Sequence, residues 1–282
     1  MSRELSFARA AYVTWFAAAL LGVVQGLTEF LPVSSSAHLV LARAFFGWNV
    51  DDGAFGLAFD VACHAGTLVA VLIYFRRDIA VLLGAIPEVL SATRGPGKIG
   101  RLIVIGTIPT VIVGLLFAGW LEEHMRTPAV IAVTLTLGAL WLLAAERFGA
   151  RTRDEDALTA GGALLVGTAQ ASALIPGMSR SGSTISMAML LGLTRESAAR
   201  FSFLLGVPAI GAAAAKEGIK ILQAGMTAHD AALFAIGMIT SGVVGFLTIK
   251  FFLKYLAGHS LNVFAYYRLA LAAVTAVWLV AR

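Results

Sequence analysis

Charge is what this chain has least of: Asp, Glu, Lys and Arg make up 13% of its 282 residues, about half the ~25% of an ordinary soluble domain. Too few polar groups remain to cover a hydrated globule. Cysteine is nearly absent as well. Cys63 stands alone in an apolar run, which excludes an internal disulfide, a CxxC pair and a metal-thiolate cluster and leaves a small buried hydrophobe. Neither a Cys-x5-Arg sequence nor a Walker-type loop is present, so those soluble phosphatase and nucleotide-binding chemistries are excluded too. The formal charge of +5 accompanies a pI of 9.7, yet the basic residues lie in short segments between apolar stretches. That is the pattern of membrane topology, and it argues against a nucleic-acid partner.

Apolar sequence fills the space instead. Hydrophobic residues reach 59% and mean hydropathy is +0.86, so the chain reads as a polytopic membrane protein. Stretches at 57–75, 102–121, 129–148, 201–223, 230–253 and 261–281 are long enough to span, given the roughly 20 residues a crossing helix needs. Those at 11–24, 38–47, 160–175 and 184–193 are too short or too interrupted, and 79–90 reads as interfacial. Arg3 and Arg9 ahead of the first apolar run give the look of a secretory signal, but no small-x-small cleavage site follows. Trp15, Trp48, Trp120, Trp141, Trp278, Tyr266 and Tyr267 suit interfacial or lipid-facing positions.

The short stretches flank two polar interruptions. One runs from Gln25 through Glu29, Pro32, Ser34, Ser35 and Ser36 to His38; the other from Pro176 to Thr184. Gly22-x-x-Gln25 followed by Pro32-x-x-Ser35 matches Gly167-x-x-Gln170 followed by Pro176-x-x-Ser179. Phe59 matches Phe201, Ala70 matches Ala212, and Gly106, Gly114 and Leu116 match Gly237, Gly245 and Leu247. The chain therefore reads as one membrane domain over 1–282 with repeats over approximately 10–121 and 158–253 and added spans at 129–148 and 261–281.

Loop charge sets the orientation. Arg76, Arg77, Arg94, Lys98 and Arg101 follow the first span and Arg147, Arg151 and Arg153 follow the third, against Arg126 between the second and third. The basic loops belong in the cytoplasm. Three spans between the halves then invert the second relative to the first. The expected fold is all-α, with six transmembrane helices and two opposed re-entrant helical hairpins whose polar tips meet, because irregular backbone survives at membrane depth only when protein buries it or it lines a wet cavity.

Those tips carry the chemistry. Hydroxyls of Ser179, Ser181 and Thr184, amides around Gly177 and Gly182, and the guanidinium of Arg180 suit an oxyanion with several oxygens, phosphate above all. A helix starting near Thr184 adds a positive dipole end. Ser35 is a candidate nucleophile, His38 lies three residues on, and Glu29 could orient a base or hold a divalent cation. Structural readings stand beside each: serines cap helices, a histidine at a helix start hydrogen-bonds locally, and Glu29 with Arg180 makes an intramembrane ion pair. Asp60 and His64, at i and i+4, pair or orient the site from behind. Glu196 and Arg200 have the same spacing and read as an interfacial salt bridge, and the glycines at 106, 114, 237, 242 and 245 as close helix contacts.

With these motifs the sequence resembles the bacterial undecaprenyl-diphosphate phosphatase family, also called the bacitracin-resistance protein family, over essentially its whole length. Gln25-Gly-Leu-Thr-Glu29 is similar to the family's Glu/Gln-x-x-x-Glu motif, Pro176-Gly177-Met178-Ser179-Arg180-Ser181-Gly182-Ser183-Thr184 to its Pro-Gly-x-Ser-Arg-Ser-x-x-Thr motif, and Phe59 to Thr67 to a further segment. Ala37 stands where glycine is common, and Gln25 offers a neutral oxygen in place of a second carboxylate.

The resemblance implies an inner-membrane hydrolase that removes the terminal phosphate of undecaprenyl diphosphate to give the monophosphate carrier for peptidoglycan synthesis. It implies a homodimer, a periplasmic reaction and assistance from Mg2+ or Ca2+, with Glu29 and Gln25 as candidate ligands. Glu29, Ser35, His38 and Arg180 form the functional core, and Gln25, Ser34, Ser179, Ser181 and Thr184 line the substrate site. Ser35 or a water attacks, His38 handles the proton, and an apolar groove takes the prenyl chain. The rival reading is a polyprenyl-phosphate transporter or flippase, since opposed repeats also build secondary transporters.

Overall fold

The computed structural model describes residues 2–46 and 56–281, with side chains described from Trp15 onward except at 221, 222 and 224. Trp48 lies outside the described residues. Apolar runs give α1 (Ser2–Phe30), α2 (Ser35–Phe46), α3 (Leu57–Tyr74), α4 (Arg76–Gly84), α5 (Gly95–Met125), α6 (Pro128–Phe148), α7 (Ala160–Ser172), α8 (Arg180–Leu190), α9 (Arg195–Ala224), α10 (Ala228–Leu256) and α11 (Asn262–Val280). Thr127, Thr159 and Thr227 cap α6, α7 and α10 by accepting from the amides of Val130, Gly162 and Asp230. Among the described residues the only strand-like feature is an isolated bridge between Arg153 and Leu193.

Six helices, α3, α5, α6, α9, α10 and α11, are long and apolar enough to cross a membrane, at the positions expected from hydropathy. The short pieces differ in one respect. The first interruption opens later than its polar residues suggest, because Gln25 and Glu29 sit in the last turns of α1 and only 31–34 leave the helix. Both residues are good helix formers, and neither forces a break before Pro32. The interfacial segment is α4 followed by a 3-10 turn at Ile86–Glu88, with Val81, Leu83, Ile86 and Leu90 exposed. Trp15, Trp120, Tyr266 and Tyr267 are exposed as well.

Helices in lipid gain little from apolar transfer, so they associate through close packing and polar contacts. Glycine makes this possible at two crossings. A Cβ on Gly22 of α1 would lie 2.7 Å from the Gly237 carbonyl oxygen of α10, and one on Gly167 of α7 would lie 2.1 Å from that of Gly106 in α5. Gly242 and Gly245 also sit against neighbouring helices, whereas the nearest atom to a Cβ on Gly114 is 3.9 Å away, an ordinary contact. Cys63 is fully buried. Phe30, Phe75, Phe203 and Phe252 are all fully buried, with Phe203 set 5.3 Å from Phe30 and 6.3 Å from Phe75 between centroids.

Ion pairs gather at the helix ends. The first turn of α5 and the 3-10 turn Glu155–Ala157 dock together: the Gly95 amide donates to Asp156 at 2.9 Å and Lys98 donates to the Asp156 carbonyl. Glu146 accepts from Arg195 at 2.5 and 2.7 Å, from Arg151 at 2.9 Å and from the Leu261 amide at 2.7 Å. Arg200 pairs with Asp78 at 2.6 Å and approaches Glu155 at 3.8 Å. This corrects the expected Glu196–Arg200 pair, because carboxylates on other elements lie closer than the one a helical turn away.

Candidate active site

The loops at 31–34 and 173–179 are shaped by their serines. Ser34 and Ser179, each the residue before a short helix, have positive φ of 74° and 70°, a conformation that costs a non-glycine residue roughly 1–3 kcal/mol and is kept where the surroundings enforce it. Each hydroxyl turns into its own helix. Ser179 Oγ accepts from the Gly182 amide at 3.1 Å and lies 3.3 Å from Ser181 Oγ. Ser34 Oγ accepts from the Ala37 amide at 3.4 Å and lies 3.2 Å from Ser36 Oγ. Ser34 and Ser179 thus share a backbone conformation and a capping role.

Between the loops lies Glu29, buried at 5% exposure. Its Oε2 accepts from Ser35 Oγ at 2.7 Å and from Gln25 Nε2, one turn back on α1, at 3.0 Å. Its Oε1 accepts from Arg180 Nη2 at 3.1 Å. His64 Nε2 stands 3.4 Å from Oε2. These donors favour the ionised carboxylate, which burial alone would penalise. Arg180 opens α8, and its Nη1 donates to the Ser202 carbonyl at 3.1 Å. A Cβ on Gly206 would fall 2.2 Å from that Nη1, so only glycine leaves the guanidinium its place.

The remaining candidates are arranged around this centre. Ser181 Oγ reaches the Leu31 carbonyl at 3.0 Å and the Glu29 carbonyl at 3.3 Å, stitching α8 to the first loop. Thr184 is fully buried, with its hydroxyl on the Arg180 carbonyl at 2.7 Å and against Ser202 Oγ at 2.5 Å. The hydroxyls of Ser34, Ser179, Ser181 and Thr184 therefore fix the two loops in this structure, while Ser35 alone points its hydroxyl at the carboxylate.

The two histidines face different partners. His38 Nδ1 lies 2.7 Å from the Ser34 carbonyl and Nε2 lies 2.7 Å from Tyr267 Oη. A carbonyl can only accept, so Nδ1 carries the proton and Nε2 of the neutral ring accepts from the phenol. No lone pair of that ring is left for Ser35. His64 is the histidine beside Glu29, its Nδ1 donating to the Asp60 carbonyl at 2.7 Å; Nε2 then carries a proton toward Glu29 only as imidazolium. The Asp60 carboxylate does not pair with His64 as the spacing suggested. It is taken by Arg43 through both oxygens and by Arg126 at 2.5 Å, two permanent cations against one titratable ring. Sequence spacing gave no signal for Tyr267, Ser202 or Arg268, which reach the loops from distant helices.

Six membrane-crossing helices around two short, serine-capped helices that enclose a Glu–Arg–Ser centre define a multi-pass membrane protein with an internal polar site. The family described as "Bacitracin resistance protein BacA" matches residues 18–274, and the chain belongs to this family. It is 46% identical over 268 residues to the undecaprenyl-diphosphatase of Rubrobacter xylanophilus, covering 93% of this chain and 97% of that protein. It is 44% identical to the undecaprenyl-diphosphatase of Hahella chejuensis, covering 95% and 99%, and 45% identical to that of Alcanivorax borkumensis, covering 94% and 99%.

Proposed function

We propose that this chain is a membrane-embedded phosphoanhydride hydrolase that removes the terminal phosphate of undecaprenyl diphosphate. The family membership and the relatives' shared activity support the reaction over lipid transport. The single structural observation that carries the mechanism is the Ser35–Glu29–Arg180 arrangement, in which one carboxylate holds both a hydroxyl nucleophile and the guanidinium suited to a phosphate.

The diphosphate draws Arg180 from Glu29 onto the terminal phosphoryl oxygens, where its planar fork offsets the developing charge. Relieved of that cation, Glu29 becomes the stronger base and accepts the Ser35 proton as Oγ attacks the terminal phosphorus. The anhydride P–O bond breaks and undecaprenyl phosphate leaves. Water then cleaves the Ser35 phosphoester, releasing inorganic phosphate, and the proton held on Glu29 returns to Oγ. His38, engaged by Tyr267 and Ser34, holds the loop instead of the proton.

Two oxygen donors fit a hard divalent cation: the Glu29 carboxylate and Gln25 Oε1, which is buried with no hydrogen-bond partner among the described residues. Among those residues no group of three or more His, Cys, Asp and Glu side chains forms a metal cage, so Glu29 and Gln25 are the residues that would hold the ion. Bound Mg2+ or Ca2+ would supply charge neutralisation at the diphosphate.

The same proposal includes an inverted repeat with two re-entrant hairpins. The paired serine caps at Ser34 and Ser179 and the crossed glycine contacts Gly22–Gly237 and Gly167–Gly106 support it. In this reading the active site faces the periplasm, which the Arg- and Lys-rich loops after α3 and α6 support. The prenyl chain lies in the apolar groove of about 470 Å³ between α3 and α10, lined by Gly66, Val69, Ile73, Met238, Gly242 and Leu247.

Purified protein in detergent, given undecaprenyl diphosphate with Mg2+ or Ca2+ and no gradient, is expected to release inorganic phosphate. Lipid binding without release would favour the transporter.

A further inference from the structure

Arg268 of α11 is the largest fully buried side chain among the described residues, and its hydrogen-bond partners there are carbonyl oxygens alone. Nη2 donates to Gly177 at 3.0 Å, Met178 at 3.1 Å and Thr134 at 3.4 Å. Nη1 donates to Pro32 at 3.3 Å and Nε to Leu135 at 3.3 Å. One guanidinium thus gathers the first loop, the second loop and α6. A buried cation with no carboxylate costs several kcal/mol in desolvation unless dipoles offset it. Backbone carbonyls in irregular segments, for their part, need donors that no helix supplies. The three loop carbonyls of Pro32, Gly177 and Met178 and the fork satisfy each other, and the sequence makes room for them: a Cβ on Gly138 would lie 1.8 Å from Nη2, and one on Gly182 would lie 2.9 Å from Nη1.

The neighbouring residue completes the hold. Tyr267 engages His38, whose other nitrogen donates to the Ser34 carbonyl. The loop that presents Ser35 is therefore held from α11 at Pro32 and at Ser34, while the loop that leads into Arg180 is held at Gly177 and Met178 by the same guanidinium.

We propose that Arg268 is a positioning residue that sets the separation of Ser35 and Glu29 from Arg180 by clamping both loops to α11. This rests on the hydrolase reading, and a point charge cannot replace the fork, since an ammonium has three donors and no fixed plane. The test is steady-state release of phosphate from undecaprenyl diphosphate by purified protein in detergent, expressed per folded molecule. Arg268→Lys is expected to lower kcat by about 10²-fold with KM within about threefold, as a small misplacement of reacting groups does. Gly138→Ala, which displaces the guanidinium without removing it, is expected to act in the same direction. Guanidinium chloride added to Arg268→Ala is expected to recover part of the lost kcat where sodium chloride at equal ionic strength does not. Wild-type kcat per folded molecule in both Arg268→Lys and Gly138→Ala overturns the assignment, as does failure of both to fold, which would make Arg268 a residue of the fold alone. A wild-type protein that releases no phosphate overturns the hydrolase reading instead, so the two failures are told apart.

Discussion

Ser35 Oγ donates to Glu29 Oε2 at 2.7 Å, and this bond joins the start of α2 to the end of α1 across the first loop. It places a hydroxyl on the one carboxylate that the described residues bring to Arg180, with no intervening histidine. Ser35→Ala is accordingly expected to lower kcat by at least about 10²-fold. Acid-quenched wild-type protein, given substrate labelled in its terminal phosphate, is expected to retain label that Ser35→Ala lacks. Full turnover by Ser35→Ala would make water the attacking oxygen.

Arg180 contributes geometry as well as charge, because one nitrogen reaches Glu29 while the other is fixed on the Ser202 carbonyl. Arg180→Lys keeps the charge and loses the fork. Its kcat is expected to fall by about 10²-fold or more, and wild-type kinetics would remove Arg180 from the phosphate site.

His38 is held on both nitrogens, and the proposed mechanism routes no proton through it. The pH–rate profile of His38→Ala is expected to keep the shape of the wild-type profile at a lower plateau, because only the positioning of Ser34 is lost. Disappearance of a limb of the profile would restore His38 as the general base.

Asp60 neutralises two cations, one of them Arg43 at 3% exposure. Asp60→Asn leaves that guanidinium buried without a charge partner, which costs about 3–5 kcal/mol. Thermal unfolding in detergent should show a large drop in the midpoint, while phosphate release per folded molecule changes little. An unchanged midpoint would contradict the pairing.

Hydropathy made the six spans legible because a run of apolar residues long enough to cross has few alternatives, and the positions of α3, α5, α6, α9, α10 and α11 followed from it. Glu29, Ser35 and Arg180 were also legible, since each is an expensive group in a greasy segment. What sequence spacing could not show was which partner each group takes. Asp60 and His64 share a helix face, yet the Asp60 carboxylate goes to Arg43 and Arg126, while His64 turns Nε2 to Glu29. His38 lies three residues from Ser35 in sequence and turns to Tyr267, 229 residues on. Arg268 sits inside an ordinary apolar helix, and its role depends on carbonyls of three other segments, which carry no side-chain signature at all.

Glu29, proposed as the base that organises the hydrolytic site, is tested by removing its charge. Initial rates of phosphate release from undecaprenyl diphosphate are compared for purified wild-type protein and Glu29→Gln in detergent, matched for folded protein. Gln keeps the shape and an oxygen acceptor for Ser35 but cannot take its proton. The account predicts a fall of at least about 10²-fold with substrate binding retained; turnover by Glu29→Gln at the wild-type rate would contradict it.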